Sequence, residues 1–136
     1  MVLVDIVYEG ELHCRATHGP SGDVMNTDAP VDNKGKGEAF SPTDLVGTAL
    51  GTCILTIMGI AAERHGLDMR GARASVEKTM VAHPVRRIGE LRVAIHVPGK
   101  LDEASRKLLE RAGLGCPVKA SLASSVEVSV EFRWDA

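Results

Sequence analysis

Between Leu45 and Ala62 the chain runs 18 residues without a charge, and no other stretch constrains the fold as strongly. Clear punctuation precedes it. Ser41 is a good N-cap, Pro42 suits the first helical position, and Asp44 stands where a capping box places its acid. Gly66 predicts the stop, so a helix is expected to about His65. Apolar nearly all round, such a helix must be wrapped by other elements rather than lie on a surface. Eighteen residues is also the lower edge of membrane-spanning length. Gly47, Thr48, Gly51, Thr52, Thr56 and Gly59 dilute the hydrophobicity, which favours a buried core helix over a membrane span. Gly47 and Gly51, four apart, leave a smooth groove that a second backbone can approach closely.

Around this helix the pattern is one of strands. Val2, Val4, Ile6 and Tyr8 alternate with Leu3, Asp5, Val7 and Glu9. Leu12, Cys14 and Ala16 alternate with His13, Arg15 and Thr17, and Gly19–Pro20–Ser21–Gly22 is a turn before a short third strand over Asp23–Thr27. Asp28 to Phe40 reads as a long polar loop, a length often functional or mobile. After the helix, Ala72–Glu77 and Glu90–Val97 alternate as two strands joined through His83–Pro84–Val85–Arg86–Arg87, with Arg86 and Arg87 at a solvated tip. Leu101–Ala112 is an amphipathic helix with Leu101, Ala104, Leu108 and Ala112 on its apolar side. Gly113 and Gly115 end it, Cys116–Pro117 starts a short helix, and Val126–Trp134 is the last strand. The order βββ–α–ββ–α–(short α)–β predicts a single α+β domain over residues 1–136, with antiparallel sheets around a long buried central helix.

Composition excludes several functions. A net charge of −2 offers no basic field for nucleic acid or anionic lipid, and 3% aromatic residues give no base-stacking platform. Three cysteines do not make a disulfide framework, and the amino terminus lacks a signal-peptide pattern, so a cytoplasmic chain with reduced thiols and no membrane association is expected. The five histidines form no ligand set, no CxxC occurs, and Gly35–Lys36–Gly37 is too short for a phosphate loop; neither a metal nor a cofactor is expected.

The cysteines carry the candidate chemistry. Cys14, between Leu12 and Ala16, reads as a small buried hydrophobe. Cys53 lies inside the apolar helix, and Cys116 stands in Leu114–Gly115–Cys116–Pro117–Val118 at a helix start. Two thiols that can meet, one of them in an apolar shell, are the minimum equipment for reducing a peroxide through a transient disulfide. Cys53 is beyond the first turn, out of reach of the helix dipole, and burial there works against a thiolate. Helix electrostatics alone nominates Cys116 as the attacking sulfur.

Ser41–Pro42–Thr43–Asp44–Leu45, Gly51–Thr52–Cys53 and Cys116–Pro117–Val118, in this element order, resemble the OsmC/Ohr family of osmotically induced and organic-hydroperoxide-resistance proteins. Arg86–Arg87–Ile88 and Leu101–Asp102–Glu103 extend the likeness over nearly the whole chain, closest to the OsmC-like branch. The resemblance implies an intertwined homodimer and a thiol peroxidase for organic hydroperoxides. In it Cys53 attacks, Cys116 resolves, and a small dithiol or a lipoylated protein restores the thiols. The family steadies its attacking cysteine with an arginine held by a glutamate. Here Thr43 occupies the glutamate's place, with Asp44 beside it but turned half a revolution from Cys53. Arg15, Lys34 and Lys36 are the cations on offer, none with the family's placement. Val46, Leu50 and Ile57, on the cysteine's side of the helix, are the expected pocket for an alkyl substrate. The rival expectations are a non-catalytic dimer of this fold that binds a small hydrophobic ligand, and a purely structural or stress-associated protein.

Overall fold

The computed structural model describes residues 1–135 and falls into two compact units, Met1–Val46 and the chain from Gly47 onward. The first unit is an antiparallel meander of β1 (Val4–Gly10), β2 (His13–His18) and β3 (Val24–Asp28), in the order β1–β2–β3. Glu11 and Leu12 both take positive φ, 54° and 63°, which is what a two-residue hairpin turn between right-twisted strands requires. Leu12 is therefore a turn residue and not the first inward residue of β2, as its alternation had indicated. The loop after β3 is tied to itself. The Asp28 N–H donates to the Phe40 carbonyl at 3.1 Å, the Glu38 N–H donates to Asp28 Oδ2 at 3.0 Å, and a short 3₁₀ turn spans Val31–Asn33.

Helix α1 (Pro42–Arg64) starts and stops as its sequence predicts. The Ser41 N–H donates to Asp44 Oδ2 at 2.9 Å and the Asp44 N–H donates to Ser41 Oγ at 3.1 Å, a reciprocal capping box. At the other end Gly66 takes φ 64°, with its N–H on the Glu63 carbonyl and the Leu67 N–H on that of Ala62. These are the two bonds of a Schellman motif. Length and composition alone would let α1 cross a membrane. In the second unit, however, Leu50, Ile54 and Met58 are 0 % exposed, as core-helix residues are. The expected wrapping is met on one side only in this single chain: Thr48, Ala49, Thr52, Thr56 and Ile60 remain exposed.

The second sheet has the order β4–β5–β6, from β4 (Arg73–Val81), β5 (Arg87–Val97) and β6 (Glu127–Trp134). β4 and β5 are antiparallel, but β6 runs parallel to β5, so this sheet is mixed and not antiparallel throughout. The reason lies in the connection. Between β5 and β6 the chain passes through α2 (Glu103–Leu114) and α3 (Pro117–Ser121), and a helical crossover returns it to the end from which β5 began. Leu91, Val93, Ile95 and Val97 of the central strand form the buried face. Arg87 belongs to β5 and not to a solvated tip: its Nη1 donates to the Ser125 carbonyl at 3.0 Å, just ahead of β6.

Glycines set how closely α1 can pack in this unit. A Cβ on Gly47 would lie 3.4 Å from Val76 Cγ1, and one on Gly51 would lie 2.9 Å from Val76 Cγ2, so the smooth groove receives β4. Helix α2 is capped by Asp102, which accepts the Ser105 N–H at 2.8 Å. Its buried residues are Leu109 and Gly113, while Ala104 is exposed. The inward face is thus turned by about one residue from the predicted Leu101–Ala104–Leu108–Ala112 side. Contacts to the end of β6 fix that rotation. Trp134 Nε1 donates to Glu110 at 2.8 Å, and the Arg106 guanidinium lies 5.8 Å from the Trp134 ring centre.

Candidate functional site

Both candidate thiols lie in the second unit, and the fold makes them neighbours. Cys53 sits at mid-length in α1, half-buried, next in sequence to the fully buried Ile54. Cys116 is the N-cap of α3, with extended backbone at φ −67° and ψ 137° and Pro117 behind it at the first helical position. It is 1 % exposed. Helix α2 meets α1 at Gly113, where a Cβ would stand 3.0 Å from Met58 Cγ and 3.1 Å from Ile54 Cγ2. Three residues later the chain reaches Cys116, whose N–H donates to the Gly113 carbonyl at 3.3 Å. There the Cys116 side chain has that of Cys53 as a neighbour. No disulfide joins them; both are free thiols.

Electrostatics at Cys116 differs from the sequence expectation. Burial, the largest influence, pushes its pKa up, and the adjacent Cys53 pushes in the same direction by hydrogen bonding and by charge. The backbone N–H groups of Lys119 and Val118 pull the other way, the first donating to Cys116 Sγ at 3.2 Å. A helix of five residues offers few aligned peptide dipoles, and removal from water outweighs them. Removal from water thus opposes the thiolate that the helix start favours at Cys116.

Comparison with known proteins places this architecture. The family model for OsmC-like proteins matches residues 35–131, a span that includes both thiols. The chain belongs to the OsmC-like family. A crystal structure from Psychrobacter arcticus, of a protein named for an inferred role in osmotic stress and detoxification, is 42% identical, with a TM-score of 0.92 over 98% of this chain and 96% of that one. An organic hydroperoxide resistance protein from Legionella pneumophila shares the fold at 17% identity, with a TM-score of 0.74 over 98% and 96% of the two chains. An uncharacterized protein of Acinetobacter baylyi is 26% identical over the full length of both chains.

The groups proposed from sequence to support an OsmC-like thiol all belong to the first unit, and four of the five have partners there. Asp44 is the partner of Ser41 in the capping box, and Thr43 Oγ1 lies 3.3 Å from Ser41 Oγ. Lys36 pairs with Glu11 at 3.4 Å and Arg15 with Glu9 at 4.0 Å, both in solvent, and Lys34 is an exposed residue at φ 69°. Of the expected pocket, Leu50 is wholly buried and so packs the core, whereas Val46 and Ile57 are half-buried. Cys14 lies on β2 opposite Tyr8 and Thr27. Sequence reasoning missed the contact that brings the sulfurs together. In sequence Gly113 marks only a helix end, and a glycine three residues ahead of a cysteine is the available signal.

Proposed function

We propose that this OsmC-like chain is a cysteine peroxidase that reduces organic hydroperoxides, with Cys53 as nucleophile and Cys116 as resolving thiol. The observation that carries this reading is that two free thiols, 63 positions apart in sequence, are neighbours in the fold. Roles follow from the asymmetry of the pair. Cys116, 1 % exposed and with its pKa pushed up chiefly by burial, is a poor first attacker. Cys53, the more accessible of the two, is where a peroxide arrives. Its thiolate attacks one peroxide oxygen, the O–O bond breaks, and the alkoxide takes a proton to leave as ROH. Attack of the Cys116 sulfur on the Cys53 sulfenic acid forms the disulfide and releases water. A small dithiol or a lipoylated protein then returns both thiols by exchange.

Support also comes from the relatives. The Legionella neighbour is named for organic hydroperoxide resistance, and a further neighbour of that name from Vibrio cholerae holds captopril in one of its active sites. The exposed apolar residues of β1, with Ile6 at 66% and Tyr8 at 62%, and the exposed side of α1 give a second copy of the chain surface to cover. A homodimer of single-domain chains working in the cytoplasm in stress defence is the corresponding assembly. The test is turnover of cumene hydroperoxide with dithiothreitol. The Cys53→Ser chain is expected to lose it, and undiminished turnover in that variant sinks the proposal.

A second reading has its own support. Arg15, Lys36 and Asp44 are each engaged with neighbours in the first unit. That leaves a non-catalytic dimer that binds a small hydrophobic ligand as the alternative. On that reading the wild-type chain leaves cumene hydroperoxide unconsumed yet binds the unreactive cumyl alcohol, and Ile57→Asp abolishes the binding.

A further inference from the structure

We infer that Gly113 is a positioning residue for the resolving step: its missing side chain sets how closely Cys116 can approach Cys53. The inference rests on the peroxidase reading above and adds a residue outside the thiol pair. Gly113 is not glycine for conformational reasons, since its φ is not positive and any residue could adopt its backbone. Inside a helix glycine is disfavoured relative to alanine, so α2 carries it against local propensity. What requires it is space. A Cβ there would stand 3.0 Å from Met58 Cγ, 3.1 Å from Met58 Sδ and 3.1 Å from Ile54 Cγ2. Both neighbours are fully buried, so the displacement falls on α2 unless Met58 yields.

Cys116 is bound to follow any such movement. Its N–H is held by the Gly113 carbonyl at 3.3 Å, and the Gly115 N–H is held by that of Ala112 at 3.1 Å. On the other side of the contact, Ile54 is the chain neighbour of Cys53. Gly115 serves as an internal control. A Cβ at that position meets only the Ala112 and Arg111 carbonyl oxygens, at 3.5 and 3.8 Å, which is ordinary contact.

The two chemical steps make different demands on this geometry. In the first, Cys53 is oxidised by two electrons to the sulfenic acid while ROOH is reduced to ROH, and Cys116 forms no bond. In the second, the Cys116 sulfur attacks the Cys53 sulfur. The S–O bond breaks, an S–S bond of about 2.05 Å forms, and the thiol proton leaves with the hydroxyl as water. Only the second step needs the sulfurs to close on each other, so widening the α1–α2 contact slows it alone.

The experiment mixes the full chain with one equivalent of cumene hydroperoxide. It follows first-turnover peroxide loss, dimedone trapping of the Cys53 sulfenic acid, and appearance of the Cys53–Cys116 disulfide. Expected for Gly113→Ala is disulfide formation several-fold slower, and for Gly113→Val tenfold or more, with the dimedone adduct rising and peroxide loss unchanged. Gly115→Ala should match wild type. Adding Met58→Ala to Gly113→Ala should return the disulfide rate towards it. If Gly113→Val does not fold, the alanine variant and its rescue carry the test. Disulfide formation in Gly113→Ala as fast as in wild type overturns the inference, as does an equal slowing of both steps. A wild-type chain that yields neither sulfenic acid nor disulfide overturns the peroxidase reading itself.

Discussion

The middle of α1 and the start of α3 present their sulfurs in opposite ways. At the start of α3, Cys116 has backbone N–H groups directed at it, including that of Lys119, and by helix electrostatics it should favour an anion. At mid-α1, Cys53 has no free N–H groups of a helix start to draw on. Burial works against that field at Cys116. Cys116 is almost wholly removed from water, which pushes its pKa up, while Cys53 stays half-buried. A short helix supplies a small fixed field, and burial made by distant parts of the chain outweighs it at Cys116.

Substitutions can break or sharpen that contrast. The largest effect is expected at the thiols themselves. Cys53→Ser should lower peroxidase turnover by about a hundredfold or more, as removal of a nucleophile does. Cys116→Ser should keep the first-turnover attack and lose the disulfide. If the two variants are equally inert in the first turnover, the division of roles is wrong. Next comes Ile54→Ala, which removes a side chain that meets α2 at Gly113. Thermal or urea unfolding should show about 2–5 kcal/mol of lost stability, and a loss within error of zero would mean that α2 does not bear on α1 there.

Asp44→Ala should cost about 1 kcal/mol through the lost capping box and leave disulfide formation unaltered. A strong loss of peroxidase activity with intact stability would instead return Asp44 to the catalytic support suggested by its sequence position. The smallest expected effect is on pH dependence. Cys116 binds its proton more tightly folded than unfolded, because burial raises its pKa. Its stabilising contribution is whole below the ordinary thiol range and is lost as pH rises through the folded value. Urea midpoints should therefore fall more between pH 7.5 and 10 for wild type than for Cys116→Ser, and the reverse ordering would contradict the burial of that thiol.

Much of the fold was legible because its signals are local. The caps of α1 depend on Ser41, Asp44 and Gly66 alone, and alternation marks the strands without reference to their partners. The misses are non-local or lacked their usual residue. Alternation is the same in parallel and antiparallel strands, so the pairing of β6 with β5 was out of reach. The rotation of α2 depends on Trp134 at the far end of the chain, and the turn at Glu11–Leu12 lacks the glycine or asparagine that normally announces positive φ. At the site, both cysteines could be named from sequence. The burial of Cys116 could not, because it depends on non-local packing, with α2 set against Ile54 and Met58 at Gly113.

The central claim is most directly tested by counting thiols in the native chain after one equivalent of an organic hydroperoxide, with the linked peptides identified by mass spectrometry. Two of the three cysteines should disappear together, recovered as a peptide joining Cys53 to Cys116, with Cys14 still reactive as a free thiol. Three intact thiols beside unspent peroxide, or oxidised Cys53 beside a free Cys116, would contradict the account.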